Sequence, residues 1–381
     1  MKRCLMDKKF KIAFVSDFNF SGSGYLNISI PICSALGNYG HEIKAVGLGY
    51  NGAEHDFPFS LIPCPSFQDA FAMINNLHYQ WHPDFVIVAL DIPHQEQILQ
   101  ICKGLGVKMI GITPLENAPL TMSWAMVLQQ LDKVFFISQL GADEAQKAGV
   151  VTAEHLIIGV DPLAWRLRTI EEYVKGREML HIPEDTLTVL TVADNQERKN
   201  LSKAFEIISK LKHEKKQKVK YILVTREKSE VGWKLRDLAM YYDIAPDVMI
   251  FERGLPFGEL YSLYSISDAF LLTSKAEGLC MPVMEAMAIG VPVVATRCGA
   301  IPELLSEGRG FMMDTEYSMI DPWGNSYRNF PSAESGAEIL TLDLTSVIAP
   351  ARAYIESRDW NIPLNQLQRS MEVLHESEAH S

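Results

Sequence analysis

Apolar residues in this chain come in short, nearly unbroken runs, and between them lie stretches whose apolar positions recur every three or four residues. In the first half the runs fall at 11–16, 43–48, 85–90, 108–113, 133–137 and 155–158. Continuous runs alternating with helical periodicity predict parallel strands joined by crossover helices and covered on both faces. A polar, helix-prone connection over 161–185 leads to a second series at 188–192, 220–224, 248–251, 269–273 and 291–296. The restart predicts two doubly wound α/β domains facing one another across a cleft, because open parallel sheets bind ligands beyond the carboxyl ends of their strands. The stretch 314–336, rich in Ser, Gly, Pro and Asn, reads as a long loop, and 354–374 as a helix interrupted near Pro363.

Composition narrows the function classes. With 48% hydrophobic and 22% charged residues over 381 positions, the chain has the make-up of an ordinary globular protein of two domains. A formal net charge of −12 argues against nucleic acid as the main partner, since phosphate backbones need an excess of Lys and Arg. The cysteines (Cys4, Cys33, Cys64, Cys102, Cys280 and Cys298) form no C-x-x-C pair and sit mostly in apolar runs, as reduced core thiols do. No run approaches the roughly 18 apolar residues of a membrane span, and the first residues lack a signal-peptide core, so a cytoplasmic protein is expected. The basic run Lys203, Lys210, Lys212, Lys215, Lys216, Lys218 and Lys220 reads as a solvated face plus a charged loop; peripheral contact with an acidic membrane surface is the alternative.

Three stretches have the chemistry of a site. After the first strand, Gly22 and Gly24 precede a helix with Leu26, Ile30, Cys33 and Leu36 as its apolar stripe, so the turn is either a plain tight turn or a phosphate or sugar contact. A dinucleotide fingerprint would need a third glycine where Asn27 stands, which disfavours a nicotinamide enzyme. In ADNQERKN, Arg198 and Lys199 sit at a strand-to-helix turn before an N-cap at Asn200, where they can clamp a diphosphate or simply be solvated. In EGLCMPVMEAMAIGVPVVAT, Glu277 lies on a loop, Pro282 suits a first helical turn, and Glu285 follows inside that helix. Two carboxylates so placed can bond separate hydroxyl-bearing parts of one ligand, while the amides of Gly278, Leu279 and Cys280 face whatever occupies the helix N-terminus.

The last segment resembles the E-x7-E signature of retaining GT-B glycosyltransferases, family 4 in particular, and TRCGAIPELL resembles the loop that follows it there. The resemblance extends along the chain: SGSGYLNISIPICSALGNYGHEIKAVG is similar to the family's glycine loop, first helix and second strand, and FISQLGADEAQKAGV with IIGVDP, including Asp161, to its interdomain hinge. It implies an acceptor-side domain over 1–160, a donor domain over 161–350, and a C-terminal segment, 351–381, whose helix crosses back to the first domain. It further implies transfer of a sugar from a UDP-, GDP- or ADP-sugar donor, with retention and without a metal or other cofactor, to a saccharide, lipid or protein acceptor. Glu285 would bond the ribose, Glu277 the transferred sugar, Gly278, Leu279 and Cys280 would offer amides, and Lys199, with Arg198, would hold the diphosphate.

Two positions depart from the family pattern. Asp194 stands where many members carry an arginine, five positions before the phosphate-binding lysine. Pro114, Leu115, Glu116 and Asn117 follow the run 108–113 where many place a histidine. His94 and Glu116 are then the nearest polar candidates for the acceptor side. A nucleotide-sugar 2-epimerase or hydrolase on the same fold, or a non-catalytic nucleotide-sugar binder, are the competing readings.

Overall fold

The computed structural model describes residues 8–20 and 22–379, so Cys4 and Ser21 of the glycine turn lie outside the described residues. The chain divides into two compact units. One comprises the chain up to Leu115, Leu120–Gly159, and everything from Asp359 onward; the other comprises Glu116–Pro119 and Val160–Arg358.

In the first unit β1 (Lys11–Asp17), α1 (Leu26–Tyr39), β2 (Glu42–Leu48), β3 (Ser60–Cys64), α2 (Phe67–Trp81), β4 (Phe85–Ala89), α3 (Ile92–Leu105), β5 (Lys108–Thr113), α4 (Met122–Leu128), β6 (Lys133–Phe136), α5 (Gln139–Lys147) and β7 (Ala153–His155) follow one another. The seven strands are parallel in the order β3-β2-β1-β4-β5-β6-β7. Ala13, Val15, Val86, Val88 and Met109 are fully enclosed, as expected of central strands covered on both faces. Three details differ from the sequence pattern. β3 has no run of its own, because Pro63 and exposed Ser60 break up an edge strand. β7 forms at 153–155 rather than 155–158. The buried face of α1 is Ile28, Ile32, Cys33 and Leu36, with Leu26 and Ile30 half-exposed.

The second unit repeats the plan with α6 (Ile170–Met179), β8 (Leu187–Val192), α7 (Leu201–His213), β9 (Val219–Thr225), α8 (Leu235–Tyr241), β10 (Val248–Glu252), α9 (Phe257–Ser265), β11 (Ala269–Leu272), α10 (Met281–Ile289), β12 (Val293–Thr296), α11 (Ile301–Leu305) and β13 (Phe311–Met313). Its six parallel strands run β10-β9-β8-β11-β12-β13. Leu201, Ala204, Phe205, Ile208 and Leu211 form the buried stripe of α7 as their spacing predicts. The expected loop at 314–336 is instead a hairpin, β14 (Thr315–Ile320) paired antiparallel with β15 (Tyr327–Pro331), followed by α12 (Ala333–Ile339).

The helical segment near the end breaks at 357–360, between α13 (Ile348–Glu356) and α14 (Asn361–Ala379), and Pro363 sits in the first turn of α14 where its missing N–H costs nothing. α13 belongs to the second unit and α14 to the first. Leu367 and Met371 on α14 are fully buried, and Gln368 meets the ring of His41, both buried, at 2.7 Å.

Candidate functional site

In each sheet the strand order reverses beside its first strand, between β1 and β4 and between β8 and β11. In open α/β sheets such a point, where the loops diverge, is where ligands bind. In the second unit the loops on either side of that point carry the candidate residues: 193–200 follows β8, and 273–280 follows β11.

Backbone bonds bind the two loops into one structure. The Lys275 amide donates to the Arg198 carbonyl at 2.9 Å, and the Thr273 hydroxyl donates to the carbonyls of Lys199 at 3.2 Å and Asn200 at 3.0 Å. Glu197–Lys199 make one 3-10 turn, closed by Asn200 in the left-handed region at φ 51°. Asn200 thus occupies the N-cap position of α7 but gives no side-chain cap bond, because the left-handed turn rather than the amide side chain reverses the chain.

That turn aims both cations at Glu277, which is 4% exposed. Lys199 Nζ lies 2.7 Å from Glu277 Oε1 and Arg198 Nη1 lies 3.2 Å from Oε2, while Arg198 Nη1 also donates to the Ala276 carbonyl at 2.5 Å. Burial alone would push the Glu277 carboxyl up; Lys199 and Arg198 outweigh it and hold the group at about 2. Cys280 then takes φ 78°, ψ 79°, a strained conformation for a residue with a Cβ, and turns the chain into α10 with Pro282 in its first turn. Among the described residues no hydrogen bond takes up the amides of Gly278, Leu279 or Cys280. The Cys280 thiol is pushed up to about 12 by burial and by Glu277, so it is no thiolate nucleophile.

Glu285, two turns removed from Glu277, is 5% exposed and accepts a 2.8 Å bond from the Tyr264 hydroxyl on α9. Burial pushes its carboxyl up to about 7, with Tyr264 pulling the other way. Two carboxylates in one unit are thereby given opposite characters, one fixed as an anion and one poised near neutrality. Tyr264 carries no sequence signal beyond its place on the buried face of a helix.

Glu116 groups with the second unit. Its Oε1 lies 2.8 Å from Arg198 Nε and its Oε2 2.9 Å from Arg328 Nη1 on β15. Gly299, at φ +48°, is wedged beneath both: a Cβ there would stand 2.1 Å from the Glu277 carbonyl oxygen and 2.2 Å from that of Glu116. Asp194 lies 2.9 Å from Arg253 and 2.7 Å from Arg226, which follow β10 and β9. Burial would raise its carboxyl, and the two guanidinium groups bring it below its ordinary value. The arginine absent from position 194 is thus replaced by a carboxylate held between arginines of the neighbouring strand ends.

The remaining predicted residues fall in the first unit. Gly22 adopts φ 100°, and its amide donates to the Asn19 carbonyl at 3.2 Å, so the turn needs a glycine there; Gly24 faces open space. His94, in the first turn of α3, sets its ring edge against Phe67 with centroids 4.8 Å apart, and its buried Nδ1 has no partner among the described residues. Five of the seven lysines in the basic run are in ion pairs, Lys203 with Glu206, Lys210 with Glu214, Lys212 with Asp247, Lys215 with Glu334 and Lys218 with Asp185, while Lys216 and Lys220 donate to the carbonyls of His213 and Pro246. Among the described residues no helix is long and apolar enough to cross a membrane, and no His, Cys, Asp and Glu side chains cluster as a metal site would require.

The chain is similar to known proteins in sequence and in fold. The sequence profile described as Glycosyl transferases group 1 matches residues 175–320, which contain both loops of the site. Over residues 175–320 the chain is thus similar to the group 1 glycosyltransferases. Among similar proteins, the Escherichia coli serotype-specific mannosyltransferase WbdA is 23% identical over 181 residues, 46% of this chain and 22% of its own length. The putative colanic acid biosynthesis glycosyltransferase WcaL of E. coli K12 is 29% identical over 196 residues, 49% of this chain and 44% of its own. The chain therefore spans well under two thirds of these relatives. Among solved structures, Anabaena Alr3699/HepE in complex with UDP and glucose superposes with a TM-score of 0.75 at 16% identity, covering 96% of this chain and 100% of that one. Sucrose-phosphate synthase of Thermosynechococcus elongatus gives a TM-score of 0.77 at 15% identity over 98% of this chain and 100% of that chain. With such neighbours and two parallel-sheet Rossmann-like units, the fold is GT-B.

Proposed function

We propose that the chain is a glycosyltransferase that takes its sugar from a nucleoside-diphosphate donor. The observation that carries the reading is the meeting of Lys199, Arg198 and Glu277 at the switch point of the second sheet, beside the free amides at the start of α10. Lys199 and Arg198 hold the diphosphate, and Gly278, Leu279 and Cys280 donate to phosphate or sugar. Glu277 accepts from the hydroxyls of the transferred sugar, and Glu285 from those of the ribose. As the bond from the anomeric carbon to the phosphate oxygen breaks, charge grows on the leaving diphosphate, where two cations and oriented dipoles stabilise it without a metal ion. The acceptor oxygen forms the new bond on the same face, its proton passes to the departing phosphate, and configuration is retained. The acceptor is a saccharide, a lipid or a protein, with His94 and Glu116 as the polar candidates that face it.

A thermal-shift screen against UDP-, GDP- and ADP-sugars identifies the donor, because a ligand bound only by the folded state raises the melting temperature by mass action. With that donor, Glu277→Ala is expected to lower transfer on the order of 100-fold or more. Turnover equal to wild type would remove Glu277 from the mechanism. Sugar released or isomerised without any acceptor would point to a hydrolase or 2-epimerase, and intact donor after long incubation to a binding protein.

A further inference from the structure

The hairpin β14–β15 is an excursion from the second sheet: at its base the Ser332 amide donates to the Asp314 carbonyl at 2.8 Å, so the chain returns to where it left. It is pinned over the donor loops on two sides. The Asn329 amide donates to the Lys275 carbonyl at 2.8 Å and the Tyr327 amide to the Ala118 carbonyl at 2.9 Å. Asn117 Nδ2 donates to the Tyr327 carbonyl at 2.9 Å and to Asn329 Oδ1 at 3.0 Å. Arg328, between these anchors, is 5% exposed.

Its guanidinium opens a row of alternating charges. Asp321 Oδ1 lies 3.3 Å from Arg328 Nη2, Arg328 Nη1 2.9 Å from Glu116 Oε2, and Glu116 Oε1 2.8 Å from Arg198 Nε. The row continues to Glu277 and ends at Lys199. Each oxygen of Glu116 thus has its own guanidinium. Arg198 meets Glu116 through Nε, and its Nη1 is turned toward Glu277.

We infer that Arg328 is a positioning residue for donor binding: by occupying one oxygen of Glu116, it keeps Arg198 from closing on that carboxylate and leaves the Arg198 Nη edge turned toward Glu277, where the proposed diphosphate would meet it. The inference rests on the proposed function, in which Arg198 meets the diphosphate. Without Arg328, Glu116 presents two oxygens to a single guanidinium in a partly buried site, and an arginine prefers to grip a carboxylate through two parallel N–H bonds. Arg198 then swings onto Glu116 and away from the ligand. A hairpin outside the sheet thereby governs how much of the cluster's positive charge a nucleotide meets.

The test is calorimetric titration of the full chain with UDP, GDP and ADP. For whichever diphosphate binds wild type, Arg328→Gln is expected to weaken binding about tenfold or more, while Arg328→Lys and the double variant Glu116→Gln/Arg328→Gln stay within about threefold of wild type. Recovery in the double variant is the decisive reading, since a loss of packing would not be repaired by a second substitution. Glu116→Gln alone is expected to bind at least as tightly as wild type. If Arg328→Gln does not fold, Glu116→Gln carries the test, and tenfold weaker binding there overturns the inference. Wild-type binding with Arg328→Gln unchanged, or with no recovery in the double variant, overturns the inference and leaves the proposed function standing. Absence of binding by wild type to all three diphosphates overturns both.

Discussion

Glu277 and Glu285 are both buried and burial raises both carboxyls, yet they end on opposite sides of the ordinary value because only Glu277 has cations beside it. The same contrast sets opposite stability windows. Glu277 ionises at about 2 in the folded chain against 4.5 ordinarily, so its contribution is present above pH 4.5 and is lost as pH falls toward 2. Glu285 ionises at about 7 when folded, so its contribution is full below pH 4.5 and is lost as pH rises through 7. Glu285→Gln keeps an acceptor for Tyr264 and removes the ionisation. It should melt with wild type at pH 4 and be more stable by about 3 kcal/mol at pH 8, measured by denaturant titration at both values. Gly299 is the second telling residue. Gly299→Ala forces a Cβ into the backbone beneath Glu277 and Glu116 at a left-handed φ, and should cost roughly 2–4 kcal/mol together with the melting shift given by the donor. A full donor shift in a folded Gly299→Ala variant would free the site from that wedge.

Elements were legible where burial is two-sided and illegible where it is not. β1, β8 and β11 announce themselves as continuous apolar runs because both faces are covered, and the α7 stripe and the Pro282 start of α10 follow from helical geometry. β14 has all six of its residues exposed, so it lacks the alternation that marks a half-buried strand, and the turn residues around it favour a loop reading. The E-x7-E spacing brought out Glu277 and Glu285 in the sequence, but Tyr264, which bonds Glu285, and Arg328, which pairs with Glu116, come from other elements with no local motif. Because Asp314 and Ser332 already meet at its base, the hairpin should be removable. Replacing 315–331 by two glycines should leave the α/β core folded by circular dichroism while donor binding falls at least as far as in Arg328→Gln. Loss of the folded core would make the hairpin structural.

At the scale of the whole molecule, the first unit is built from the two ends of the described chain and the second lies almost wholly between them. α14 packs on α1, buries Leu367 and Met371, and reaches His41 through Gln368. A chain ended after Arg358 should therefore lose amide protection in the first unit while β8–β13 remain protected, a pattern that hydrogen exchange resolved by peptide would display. Equal protection in both units would show that α14 is dispensable. The order of synthesis gives this arrangement a temporal side. The ribosome makes most of the first unit, then the intervening Val160–Arg358, and only then the helix that closes the first. At about 5–20 residues per second, an unfinished apolar surface waits on the order of 10–40 s beside a nascent neighbour that can already fold. The hazard in the life of this protein thus lies in the interval before α14 emerges, when a chaperone has the most to protect.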